Sequence, residues 1–64
     1  MMLVMKTNSG TIFIDNVLVL DIRNSGEVIF AVGSEAPIVK KNVLEMHLFS
    51  DSTEEHVIMH KDFQ

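Results

Sequence analysis

Hydrophobic and polar positions in this chain fall into short blocks divided by turn residues, a rhythm that predicts β-strands. Met2 to Met5 is an apolar run ending at Lys6, and Thr7-Asn8-Ser9-Gly10 supplies four residues of turn chemistry. Thr11-Ile12-Phe13-Ile14 is β-branched and aromatic, and Asp15-Asn16 breaks it before the pattern resumes over Val17 to Arg23. Val17 to Leu20 are consecutively apolar, which in a strand predicts that both faces are covered. Asn24-Ser25-Gly26 then leads into Glu27-Val28-Ile29-Phe30-Ala31-Val32, and a three-residue loop with glycine last predicts a hairpin whose third loop residue has positive φ. Gly33 to Pro37 ends that strand, because proline has no ladder donor and glycine no side chain to pack. Ile38 to Leu44 reads as a last strand, although Asn42 and the following Val43-Leu44-Glu45-Met46 could equally open a helical turn.

The tail has a different pattern. Ser52-Thr53-Glu54-Glu55 has the form of a capping box with acids where a helix dipole favours them, which predicts a short helix from about Thr53 to Lys61. A helix of that length is marginal alone and must pack Val57, Ile58 and Met59 against something. The chain thus divides into a β core over 1–50 and an acidic tail with a short helix over 51–64.

Composition changes the picture in one respect. At 64 residues the chain is one domain, yet it has no cysteine and is 47% hydrophobic. A core of this size supplies only a few kcal/mol, roughly 3–5, without disulfides, metal or association. Disulfides and thiolate metal sites are excluded here, so a homodimer is the expected remedy. No apolar run reaches a membrane-spanning length, and no signal-peptide pattern opens the chain, so a cytoplasmic protein without membrane contact is expected. The net charge of −4 is concentrated in the tail, with −1 over residues 1–50 and −3 over 51–64. A local basic patch on the core is therefore compatible with an acidic protein.

Candidate chemistry is sparse. His56 and His60 are four apart, as in a zinc-protease helix, but Val57 stands where that motif needs glutamate, so both are read as structural or solvated, and His47 as isolated. The serines sit in turns and a cap, Asp15 belongs to a turn, and a chain this small has no second layer to form a cleft, so no enzyme, metal or cofactor is expected. Lys40-Lys41 is the only basic pair. It reads either as protection of an edge strand against aggregation or as a phosphate contact. Without Trp or Tyr, and with three of the four phenylalanines in apolar runs, base-stacking platforms are not expected.

Two segments carry a resemblance. Met2-Leu3-Val4-Met5-Lys6-Thr7-Asn8-Ser9-Gly10-Thr11 and Val32-Gly33-Ser34-Glu35-Ala36-Pro37, separated by two strands and a hairpin, resemble the carbon storage regulator (repressor of secondary metabolites) family of small bacterial RNA-binding translational regulators, which carry M-L-I-L-T-R-R-x-G-E and I-G-x-x-A-P. The resemblance implies an all-β, five-stranded interleaved homodimer, a barrel or sandwich with a short carboxy-terminal helix. The first strand of one subunit would lie beside the last strand of the other. It implies recognition of GGA triplets in hairpins of mRNA leaders or small regulatory RNAs, with repression of translation, and leaves room for a protein antagonist. Two symmetric sites would also bridge two elements of one transcript.

Carried onto this chain, the RNA-binding positions are Lys6, Thr7, Asn8, Ala36, Pro37, Val39, Lys40 and Lys41. Thr7 and Asn8 stand where the family has its arginine pair, and of the basic residues only Lys41 falls near the family's later arginine. Lysine lacks the bidentate fork of arginine, and Thr and Asn release no counterions, so weakened or altered RNA recognition is expected. The alternative is a dimeric protein-interaction module of the same fold that has lost specific RNA binding.

Overall fold

The computed structural model describes residues 1–50 and 56–63. Among these residues seven strands form: β1 (Met2–Thr7), β2 (Gly10–Ile14), β3 (Val17–Arg23), β4 (Glu27–Val32), β5 (Ile38–Lys40), β6 (Val43–Phe49) and β7 (Val57–Asp62). They make two antiparallel sheets, one ordered β2-β1-β6-β7 and the other β3-β4-β5. The all-β expectation holds. The count of five strands does not, because the segment read as one last strand is divided at Asn42, which takes a φ of 60°, and its second part runs on to Phe49. Asparagine tolerates this left-handed turn better than most residues, so it punctuates rather than opens a helix.

The tail helix is also corrected. Residues 57–62 are a strand paired with β6, Met46 opposite Lys61 and Leu48 opposite Met59, and there is no helix among the described residues. A short isolated helix satisfies few backbone groups and has no core to lie on, whereas an added strand gains a ladder along β6. The proposed capping residues Ser52 to Glu55 lie outside the described residues. With no described helix, there is none long and apolar enough to cross a membrane.

The core lies between the sheets. Leu3 and Met5 of β1 and Met46 and Leu48 of β6 face Val17, Val28 and Phe30 of the second sheet, with Val43 where the chain crosses over. Alternation sends Met2 and Val4 to the opposite face, where they bury against Phe49 in a small second cluster. The strand covered on both sides is therefore β1, central in its sheet, and not the Val17–Leu20 run. As an edge strand, β3 buries Val17 but leaves Leu18 and Leu20 exposed.

β1 has its two neighbours, β2 and β6, in its own chain. The interleaved arrangement, in which the first strand pairs with a partner's last strand, is thereby corrected. The strand after Lys40-Lys41 folds back to take that place. It does so because the bend at Asn42 is held by Val43 N–H donating to Gly26 O at 2.9 Å, which ties the β3–β4 hairpin to the start of β6.

Candidate nucleic-acid interface

Three chain segments meet at one end of the molecule: the β1–β2 loop, the β3–β4 hairpin and the β5–β6 bend. Thr7 pairs with both Gly10 and Val43, which brings the end of β1 beside the bend carrying Lys41 and Asn42. Arg23 pairs with Glu27 at the hairpin base, and Val28 pairs with Lys40. Lys6, Arg23, Lys40 and Lys41 are thus gathered at this end, and the fifth basic residue, Lys61, lies one register position away, opposite Met46. Lys6 and Lys41 are exposed and Lys40 half-buried.

Four acidic residues share this end: Asp21, Glu27, Glu45 and, opposite Glu45, Asp62. Arg23 Nε lies 3.3 Å from Asp21 Oδ2 with both side chains mostly exposed, an arrangement worth little in stability. Ser25 Oγ donates to Glu27 Oε1 at 3.3 Å, and Glu45, opposite Lys6, lies 2.6 Å from His47 Nε2. The Thr7 hydroxyl donates to Gly10 O at 3.1 Å and accepts from Ser9 N–H at 3.2 Å, so it shapes its own turn.

The sequence-derived positions do not all converge. Lys6, Thr7, Asn8, Lys40 and Lys41 lie at the cationic end. Ala36 and Pro37 precede β5 at its other end, roughly 10 Å away at about 3.3 Å per residue, with Val39 between. That far end is closed by Gly33 N–H donating to Asn16 O and Val17 N–H donating to Met1 O, both at 3.0 Å. Ala36, Pro37 and Val39 are exposed. β5 is an edge strand, so Lys40 stands where an edge-protecting lysine would.

Arg23 was absent from the sequence-derived set. Its neighbours, Asn24-Ser25-Gly26, had already fixed the hairpin, but only the Val43–Gly26 contact reveals what that hairpin tip lies against.

The outer face of the four-stranded sheet carries a second grouping. The register lines up Phe13, Val4, His47 and His60 in one row across β2, β1, β6 and β7. Phe13 is 62% exposed although it sits in an apolar run, and with Val4, His47 and Phe49 it lines a shallow cavity of about 300 Å³. The His47 ring lies nearly parallel to Phe49, with centroids 6.2 Å apart. His60 meets His47 and not His56, its neighbour in the helical reading. The spacing Glu45-x-His47 was the available signal, since residues two apart share a strand face.

Compared with known proteins, the chain matches no family model, no curated protein and no solved structure.

Proposed function

We propose that the chain is a post-transcriptional regulator that binds RNA at its cationic end and acts by binding rather than catalysis. The observation that carries this reading is the pairing of Thr7 with Val43, which sets Lys6, Thr7 and Asn8 beside Lys40 and Lys41 in an otherwise acidic protein. The resemblance to the carbon storage regulator family places its RNA site between the first strand and the segment after Ala-Pro. Here one chain brings those two segments together. Hairpins of mRNA leaders or small regulatory RNAs presenting GGA are the expected ligands. Contacts to them are few and mostly to phosphate, because lysine offers point charges and not a planar fork.

Electrophoretic mobility with a GGA hairpin and its CCA counterpart, at low and moderate salt, tests this. Binding should favour GGA and weaken with salt, and Lys40→Ala/Lys41→Ala should flatten the slope of log K against log salt by about 1.5, at roughly 0.7–0.9 per phosphate contact. A double variant with unchanged affinity and slope would remove these lysines from the site.

A second reading is favoured by a different surface. Leu18, Ala31, Ile29 and Val39 share the outer face of the three-stranded sheet with Leu20, the extra residue at the β3 bulge, and Leu18, Leu20 and Val39 are exposed. We assign the apolar part of this face, which Asp21 and the Arg23–Glu27 pair bound on the hairpin side, to a second copy of the chain, giving an isologous homodimer by face packing. Leu18→Glu/Val39→Glu should shift the protein from dimer to monomer in analytical ultracentrifugation while its circular dichroism stays that of a β-protein. A wild-type protein that is monomeric at micromolar concentration contradicts the dimer. Retained dimerisation with no RNA binding even at low salt would leave a protein-interaction module in place of the RNA regulator.

A further inference from the structure

We propose that His47 and His60 form a binding site for a divalent transition-metal ion of the zinc class, with Glu45 as its positioning residue. The two histidines are directly opposed on β6 and β7, and their Nδ1 atoms lie 3.1 Å apart. Two zinc–nitrogen bonds of about 2.05 Å spanning that distance would enclose about 98°, and opening the separation by about 0.25 Å gives the tetrahedral angle. The rings meet edge to face at 76° with centroids 4.4 Å apart, and the nitrogens that come together between them are the two Nδ1 atoms.

The tautomer required of His47 is set by its other nitrogen. Nε2 lies 2.6 Å from Glu45 Oε1, and since an ionised carboxylate only accepts, Nε2 carries a proton, which in the neutral ring leaves the lone pair on Nδ1. A carboxylate behind a metal-binding imidazole fixes the ring and raises its basicity. The ligand atoms of Glu45, His47 and His60 all fall within 4.8 Å of one another. His60 is exposed and His47 half-buried, so an ion can enter from solvent. Imidazole nitrogen selects zinc, copper or nickel over magnesium or calcium. Two protein ligands leave further coordination positions to water. The consequence lies in the fold: β7 is an edge strand whose ladder runs along β6 alone, and a metal across the pair clips it to the sheet.

Isothermal titration of the full chain with zinc chloride, with magnesium chloride as the comparison, tests the site. One zinc per chain and no magnesium binding are expected. His47→Asn and His60→Asn should each weaken zinc at least about tenfold, whereas His56→Asn should leave it unchanged. Glu45→Ala should weaken it about tenfold, and Glu45→Gln, whose carbonyl still accepts from Nε2–H, should restore it. Imidazole nitrogen shifts in a ¹⁵N-histidine sample should report Nδ1 coordination at both rings, and zinc should slow amide hydrogen exchange in β7. Because both histidines lie outside the main core, the variants should keep the wild-type circular dichroism. No zinc binding by the folded wild type, retention of binding in either His47→Asn or His60→Asn, or loss of it in His56→Asn would overturn the assignment.

Discussion

Leu3→Ala is expected to unfold most of the protein at 25 °C. Leu3 is fully buried, pairs with Ile14 on one side and Leu48 on the other, and lies in the cluster that joins the two sheets. Truncating a buried leucine to alanine costs about 2–5 kcal/mol, the higher values where the surroundings cannot collapse into the cavity. Here they are held by strands on both sides of β1, so little collapse is available. A domain of this size has roughly 3–5 kcal/mol in total, and the substitution removes most or all of it. Urea unfolding followed by circular dichroism should show a wild-type transition and, for Leu3→Ala, a baseline already largely unfolded without denaturant. Val57→Ala, at a side chain 56% exposed, should shift the midpoint by no more than about 0.5 kcal/mol equivalent. A Leu3→Ala protein as stable as the wild type would mean that the Leu3 side chain does not pack between the sheets.

The contrast between those two residues shows what the sequence made legible. Apolar blocks and turn residues located β1 to β4 almost to the residue, because turns such as Asp15-Asn16 and Asn24-Ser25-Gly26 are decided by local chemistry. Asn16 N–H donates to Asp15 Oδ1 at 2.8 Å and Asn16 has a φ of 58°, as a local turn requires. Which apolar run is covered on both sides is a matter of sheet order, and no local pattern distinguishes Met2–Met5 from Val17–Leu20. The tail failed for a related reason. A capping-box pattern is a real local preference, but β6 offers an open edge that only the folded sheet reveals, and burial alternates from Ile58 to Asp62 once β7 lies along it. The candidate sites follow the same rule. Lys40-Lys41 was visible as a pair, but its closeness to Thr7 depends on the turn at Asn42. His47 and His60 are 13 residues apart and meet only through a register that shifts between Leu48 and Phe49.

Gly26→Ala should be the most damaging change among the turns, and its cause is separable from ordinary glycine strain. Gly26 has a φ of 94°, where an alanine pays roughly 1–2 kcal/mol. A Cβ there would also lie 3.0 Å from Val43 O, a backbone atom at the start of β6 that cannot swing aside as a side-chain tip could. Moving Val43 disturbs the bond from its N–H to Gly26 O at 2.9 Å, the contact that joins hairpin to bend. Gly10 provides the comparison, since its φ is 128° but a Cβ there meets nothing within 4 Å. Gly10→Ala therefore feels the backbone cost of its own φ and no clash, whereas Gly26→Ala adds to its backbone cost the clash and the weakened tie. At about 4–8 °C per kcal/mol for a domain this small, thermal melts should place Gly26→Ala some 10 °C or more below the wild type and clearly below Gly10→Ala. Equal losses in the two variants would show that the hairpin tip does not press on Val43. The cationic end, with Lys40 and Lys41 on the bend that this contact positions, would then have no rigid support, and the RNA-binding reading would lose the geometry on which it rests.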